Sequence, residues 1–224
     1  MSFLRHYSLF TIHFSLFALL FSLNISAQTT FDGDATPLDL YELAPDYMHD
    51  FFDAIVAEEC DLIKQQEGVG TYFGYTRNYK LFGWGDYSTT NGIRWTGMFR
   101  DGTCFFGILI KEETARVGSD DHYVEYDRAT GAIREIIRGD ERLFYPVTMR
   151  EPYSFGRQDY VGGDYYIGEF LDGKRHGQGI YFWSNGNYWY GTFSEGYRNG
   201  YGALFIPAAN RIISGKWLGD TKQE

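Results

Sequence analysis

Proline and cysteine are scarce: the 224-residue chain holds five prolines and two cysteines. Few prolines and a charged fraction of only 22% argue against a disordered chain. The cysteines are Cys60 and Cys104, with no CxxC pair and no Cys/His cluster, which argues against a structural zinc site. In an exported chain they could join in one disulfide, or remain as two buried thiols packing like small hydrophobes. Catalytic motifs are missing too: there is no GxSxG, no P-loop, no HExxH and no GxGxxG. The Gly-x-Gly pairs beginning at Gly83, Gly177 and Gly200 have strands on both sides and no helix N-terminus to hold an anion, so they read as repeat turns. Asp120, Asp121 and His122 are metal-ligating types. Neighbours on a strand point to opposite faces, however, so the trio reads as a solvated loop. His176 reads as a turn residue, because no partner that would orient it as a base can be named. No catalytic residue, cofactor or metal is expected, and the chain reads as a non-enzyme.

Aromatics and glycine are plentiful. Aromatic residues make up 19% of the chain, with 19 Tyr and 19 Phe, and there are 27 glycines. That composition favours strands over helices. The opening segment must be set aside first. "MSFLRHYS" carries one arginine, an apolar run follows to Ile25, and "SAQ" offers small residues for cleavage. This is the layout of a secretory signal peptide over 1–27, cut after Ala27. Thr11, His13, Ser15, Ser22 and Asn24 interrupt the run and make the alternative, an uncleaved membrane anchor, a poor bilayer span. The expected location is periplasmic or extracellular.

Charge is unevenly spread. Residues 28–67 carry eleven acids against one base, Lys64, whereas 157–224 carry seven of each. Acidity is therefore an N-terminal property, and a nucleic-acid-binding face is not expected. Residues 28–68 read as an acidic linker followed by an amphipathic helix. Pro45 and Asp46 stand at its start and Gly68 just past its end. Met48, Phe51, Phe52, Ile55, Val56, Leu62 and Ile63 recur at three- and four-residue spacing and form its apolar stripe. Such a stripe must cover something, and one end of a sheet is the expected partner.

The rest of the chain repeats. Tyr166, Gly168, Phe170, Gly173, Gly177 and Gly179 recur 23 positions later as Trp189, Gly191, Phe193, Gly196, Gly200 and Gly202. A third copy starts at Ile213-Ser214-Gly215-Lys216-Trp217. Moved back by 94 positions, the pattern meets Tyr72, Gly74, Gly83, Gly85, Gly92, Trp95, Gly97, Phe99 and Gly102, with Thr76 and Tyr79 breaking it. Asp172-Gly173, Asn185-Gly186 and Asn199-Gly200 read as tight turns between apolar runs. Each unit is then a hairpin, and successive hairpins form an antiparallel meander. Gly168 shares a face with Tyr166 and Phe170. It leaves a hole that a ring from the neighbouring strand can fill, the aromatic cover used to rescue strand glycines. Between the two repeat regions, "HYVEYD" and "AIREII" read as a further hairpin joined near Thr130-Gly131.

The pattern Y-x-G-x-F/W-x-x-G-x-x-x-G-x-G resembles the MORN repeat family, and "KRHGQG" at 174–179 has the His-Gly-x-Gly form common there. The resemblance covers 166–188 and 189–211, with a partial unit at 213–220, degenerate units at 69–107, and a divergent stretch at 108–165. It implies a mainly β fold, an elongated antiparallel hairpin meander; the apolar stripe adds an N-terminal helix packed on one end, and the signal layout makes the protein exported and bacterial-type. The resemblance also implies scaffolding or self-association, or binding to a lipid surface. Lys174, Arg175, His176 and Arg198 form the only local basic spot suited to anionic headgroups in an otherwise acidic chain. A third reading is an envelope glycan, stacked on Tyr181, Trp183, Tyr188 and Tyr190. The competing reading of these four rings is core.

Overall fold

The computed structural model describes residues 45–127, 133–137, 140–144 and 153–224. The expected signal segment, the acidic linker up to residue 44 and the turn at Thr130-Gly131 lie outside them. One helix, α1 (Pro45–Val56), precedes the strands. The first sheet runs in sequence order through β1 (Asp61–Glu67), β2 (Gly70–Arg77), β3 (Lys80–Thr89), β4 (Arg94–Arg100), β5 (Thr103–Ile110), β6 (Thr114–Ser119), β7 (His122–Asp127), β8 (Ile133–Ile137) and β9 (Asp140–Phe144). The second runs through β10 (Tyr153–Asp159), β11 (Tyr165–Leu171), β12 (Lys174–Phe182), β13 (Tyr188–Ser194), β14 (Tyr197–Ile206), β15 (Arg211–Leu218) and β16 (Thr221–Lys222). Every pairing is antiparallel between neighbours in sequence, so the expected hairpin meander is present, divided into two sheets. The divergent stretch continues it: β6 to β9 extend the first sheet, and β10 opens the second.

Glycine organises both sheets. Gly74, Gly85, Gly97, Gly107 and Gly118 face one another across β2 to β6. Gly156, Gly168, Gly179, Gly191, Gly202 and Gly215 do the same across β10 to β15. Each sheet thus carries a file of bare backbone along one face. Each covering ring comes from two residues before one glycine in its own strand and reaches across to the paired glycine of the next strand. Tyr166 lies across Gly168 and Gly179, where an added Cβ would sit 2.4 and 2.2 Å from its hydroxyl oxygen. Trp189 lies in the same way across Gly191 and Gly202, and Tyr72 across Gly74 and Gly85. The Tyr166 hydroxyl donates to the Glu169 carbonyl at 2.9 Å, and that of Tyr72 to the Tyr75 carbonyl at 2.8 Å.

The Gly-x-Gly pairs are not turns. Gly83, Gly177 and Gly200 lie inside β3, β12 and β14, where the register slips against the neighbouring strand. Their φ angles of +64°, +53° and +96° suit the extra residue of a β-bulge. The first glycine makes the bulge and the second joins the file. Asn199-Gly200 is therefore strand. The reversal between β13 and β14 is made by Glu195-Gly196, both with positive φ, matching Asp172-Gly173 and Asp101-Gly102. Asn185-Gly186 does lie in a reversal, closed by the Trp183 N–H on the Asn187 carbonyl at 2.9 Å. His176 sits in β12, buried, and not in a turn.

Side chains of the opposite parity form the main core. Phe73, Trp84, Met98, Phe106, Ile108 and Val117 of the first sheet share one cluster with Ile180, Phe182, Tyr188, Tyr190, Ala203 and Phe205 of the second. Ring contacts cross between the sheets: Phe73 meets Phe205 at 6.1 Å, Trp84 meets Tyr190 at 5.8 Å, and Tyr126 meets Phe155 at 5.2 Å. The two sheets therefore pack by these faces, as in a sandwich, and turn their glycine files away from each other.

The helix packs on the first sheet, at the bulge of β3. Phe51 covers Gly83 so closely that a Cβ there would meet the ring at 2.0 Å, and the Gly83 N–H donates to the Tyr47 hydroxyl at 3.1 Å. Arg77 ties β2 to α1 and its exit through Asp50 at 3.0 Å and Glu59 at 2.6 Å. The helix is shorter than its stripe suggests. It ends at Val56, which is 84% exposed, and Glu58 at φ +56° turns the chain out of it. Leu62 and Ile63 belong to β1, where they point to opposite faces, Leu62 to the inter-sheet core and Ile63 to the glycine side. A partner strand in register with β1 outweighs the helical periodicity. Cys60 and Cys104 are free thiols. They lie at the same end of the first sheet but four strands apart, about 19 Å at the usual strand spacing, beyond the reach of a disulfide.

Candidate functional site

The glycine side of the second sheet is the most developed surface feature. Tyr166 and Trp189 lie flat on their glycines. Phe193 presents its edge to both rings, at 5.0 and 4.8 Å, and Trp217 closes on Trp189 at 6.2 Å. These four are buried although no second sheet among the described residues covers them. Two guanidinium groups act as lids. Arg175 lies 5.4 Å from the centre of Phe193 and 5.1 Å from that of Tyr181, and donates to the Gly196 carbonyl at 3.1 Å. Arg198 lies 4.2 Å over Trp217 and 5.9 Å from Trp183, anchored on Asp220 at 2.9 Å. An arginine suits this place because its planar, weakly hydrated head stacks on rings while still forming hydrogen bonds.

Tyr160, Tyr181 and Trp183 flank the lids, half-buried, with ring centres 5.6 and 5.0 Å apart. The Tyr181 hydroxyl donates to Asp164 at 3.0 Å, and the Ser184 N–H donates to the same carboxylate at 2.9 Å. These donors, the backbone N–H first, lower the Asp164 pKa below the usual carboxylate value. Of the four rings considered for stacking on a sugar, Tyr188 and Tyr190 are buried between the sheets. Only Tyr181 and Trp183 stand on the outer face. The basic spot is likewise occupied. Lys174 pairs with Glu195, which raises the lysine pKa and lowers that of the acid. Arg175 and Arg198 serve as lids, and His176 is buried, with its pKa lowered by desolvation.

Two polar groupings lie between the sheets. Arg94 donates to Asp86 at 2.8 Å, Thr96 donates to the same carboxylate, and the guanidinium lies 4.4 Å over Phe182 of the opposing sheet. Further along, Tyr126 of β7 donates across to Glu169 of β11 at 2.6 Å. Sequence reasoning missed both groupings. Glu169 and Asp86 look like ordinary exposed acids of an alternating strand, and only the second layer makes them interior. Asp120, considered as a metal ligand, pairs with Arg116 at 2.7 Å, and His122 opens β7.

The family model of the MORN repeat matches residues 166–188 and 189–204. No curated protein matches the chain. The matched residues lie in β11 to β14 of the second sheet, which is thus similar there to two MORN repeats. Each match holds one covered glycine pair: Gly168 and Gly179 under Tyr166, then Gly191 and Gly202 under Trp189.

Proposed function

We propose that the protein is a non-catalytic scaffold, exported after loss of residues 1–27, that assembles with further copies of itself through the C-terminal edge of the second sheet. The observation that carries this reading is the state of that edge. β16 pairs only with Trp217 and Leu218 of β15, which among the described residues leaves Arg211 to Gly215 with a strand on one side only. Such an edge is a template for another strand, and natural proteins usually blunt it. Here Ile212, Ile213, Ser214 and Gly215 stand between Arg211 and Lys216 without a charge or proline among them. Leu218 beside them is 62% exposed. Beside this edge Arg198 lies over Trp217, an aromatic and arginine pairing of the kind enriched at protein interfaces. The layout of residues 1–27 supports export. A lipid surface is the weaker reading, because the basic spot of Lys174, Arg175, His176 and Arg198 is already paired or buried.

Light scattering on purified residues 28–224 across a concentration series tests the assembly. A dimer or larger species is expected, reduced to monomer by Ser214→Pro, which places a ring and a missing donor on the edge strand. A monomer at every concentration contradicts self-assembly. It would turn attention to a different partner, envelope glycan on Tyr181 and Trp183 first.

A further inference from the structure

Glu169 is a carboxylate enclosed between two sheets. Its side chain projects from β11 into the inter-sheet core, and the residue is only 5% exposed. The bulge glycine Gly177 packs directly against it, such that a Cβ there would lie 2.1 Å from its Oε2. One oxygen accepts from the Tyr126 hydroxyl of the first sheet at 2.6 Å, and the other from the Gln178 N–H of its own sheet at 2.5 Å. Among the described residues no guanidinium or ammonium pairs with it. The other groups that face it are uncharged. Tyr190 of β13 is fully buried and shares the enclosure. His176, opposite Glu169 in the β12 register, is held toward its neutral form by burial. Phe155 stands opposite in β10, while Arg157 of that strand turns to Asp159 and the Tyr165 ring.

We propose that the enclosed Glu169 carboxyl is a proton-operated latch between the two sheets, which close over it while it carries its proton and loosen there when it ionises. A protonated carboxyl is far cheaper to enclose, because it carries no charge and its second oxygen keeps the Gln178 N–H. An ionised one places an uncompensated charge in the interior. Desolvation, only partly opposed by the two donors, lifts its pKa from 4.5 to about 7. A carboxyl whose pKa is raised by folding stabilises the fold most below 4.5, and that stabilisation is lost as pH climbs through about 7.

Urea unfolding of the purified protein between pH 5 and 8 tests the latch, with Glu169→Gln measured beside it. The unfolding constant of the wild type, divided by that of the variant, is expected to rise on the order of a hundredfold across this range. A ratio that stays constant with pH overturns the proposal. Tyr126→Phe supplies an independent reading should Glu169→Gln fail to fold. It removes a donor that favours the ionised form, so the midpoint of the pH dependence must move upward. A midpoint that does not move, or a Glu169 carboxyl that titrates near 4.5 by carbon NMR, also overturns the proposal.

Discussion

Gly179→Ala adds one methyl group to a strand whose backbone is otherwise unstrained. The new carbon would lie 2.2 Å from the Tyr166 hydroxyl oxygen and 2.3 and 2.4 Å from two ring carbons. Contacts that close cannot be held, and the neighbours of the ring on one side are backbone, so the ring must leave. Tyr166 is completely buried, and expelling it forfeits its burial together with its hydrogen bond to the Glu169 carbonyl. About 2–3 kcal/mol for the ring and about 1 kcal/mol for the bond give a loss of roughly 3–4 kcal/mol. For a chain of this size that corresponds to a melting temperature lower by about 10 °C. The control is Gly173→Ala, at a turn where nothing lies within 4 Å and only the φ of +73° resists a side chain; its cost is about 1 kcal/mol. Urea unfolding measures both. The double variant Tyr166→Ala/Gly179→Ala separates contact from any other cause. With the ring gone the added methyl should cost little, giving a coupling of about 3 kcal/mol between the two sites. A Gly179→Ala protein as stable as the wild type, or additive effects in the double variant, would refute the account of the glycine files.

The same reasoning extends to other sites. Gly191→Val should abolish soluble protein, since the first added carbon already lies 2.5 Å from the Tyr201 carbonyl oxygen and 2.6 Å from the Trp189 ring; a normal yield and melting curve would contradict this. Arg94→Ala leaves Asp86, only 8% exposed, without its cation and should cost about 3 kcal/mol in urea unfolding, much of it recovered when Asp86→Asn is added. Phe51→Ala should release α1 from the first sheet and cost about 3–4 kcal/mol, with faster amide exchange confined to α1 and the β3 bulge as the measurable sign. Cys60→Ser/Cys104→Ser should leave the melting temperature unchanged under oxidising conditions, because the two thiols are too far apart to have been joined.

The hairpins were legible because each repeat carries its own punctuation. Asp172-Gly173 and Asn185-Gly186 mark reversals, and spacing alone aligned Tyr166 with Trp189 and Tyr72. The same vocabulary misled at Asn199-Gly200. A glycine with positive φ serves a bulge as well as a turn, and the actual reversal at Glu195-Gly196 lacks an Asx residue to announce it. The two-layer packing was written less openly. In β13, "YWYGTF" is aromatic at both parities, which is the mark of a strand covered on both faces. Tyr188 and Tyr190 face the opposing sheet, while Trp189 covers its own glycines. Composition cannot say which parity meets a second layer, so nothing in the sequence marks Glu169 and Asp86 as interior. Helical periodicity carried the N-terminal stripe on to Ile63 because "DLIKQQE" pairs well as an edge strand yet alternates too weakly to declare it.

The central functional claim is that the bare edge of β15 is used. Amide exchange along Arg211 to Gly215, followed by mass spectrometry at high and low protein concentration, addresses it directly. If copies join there, exchange in this segment slows at high concentration and quickens on dilution, while β13 stays protected throughout. Equal exchange of the β15 segment at all concentrations would contradict the claim.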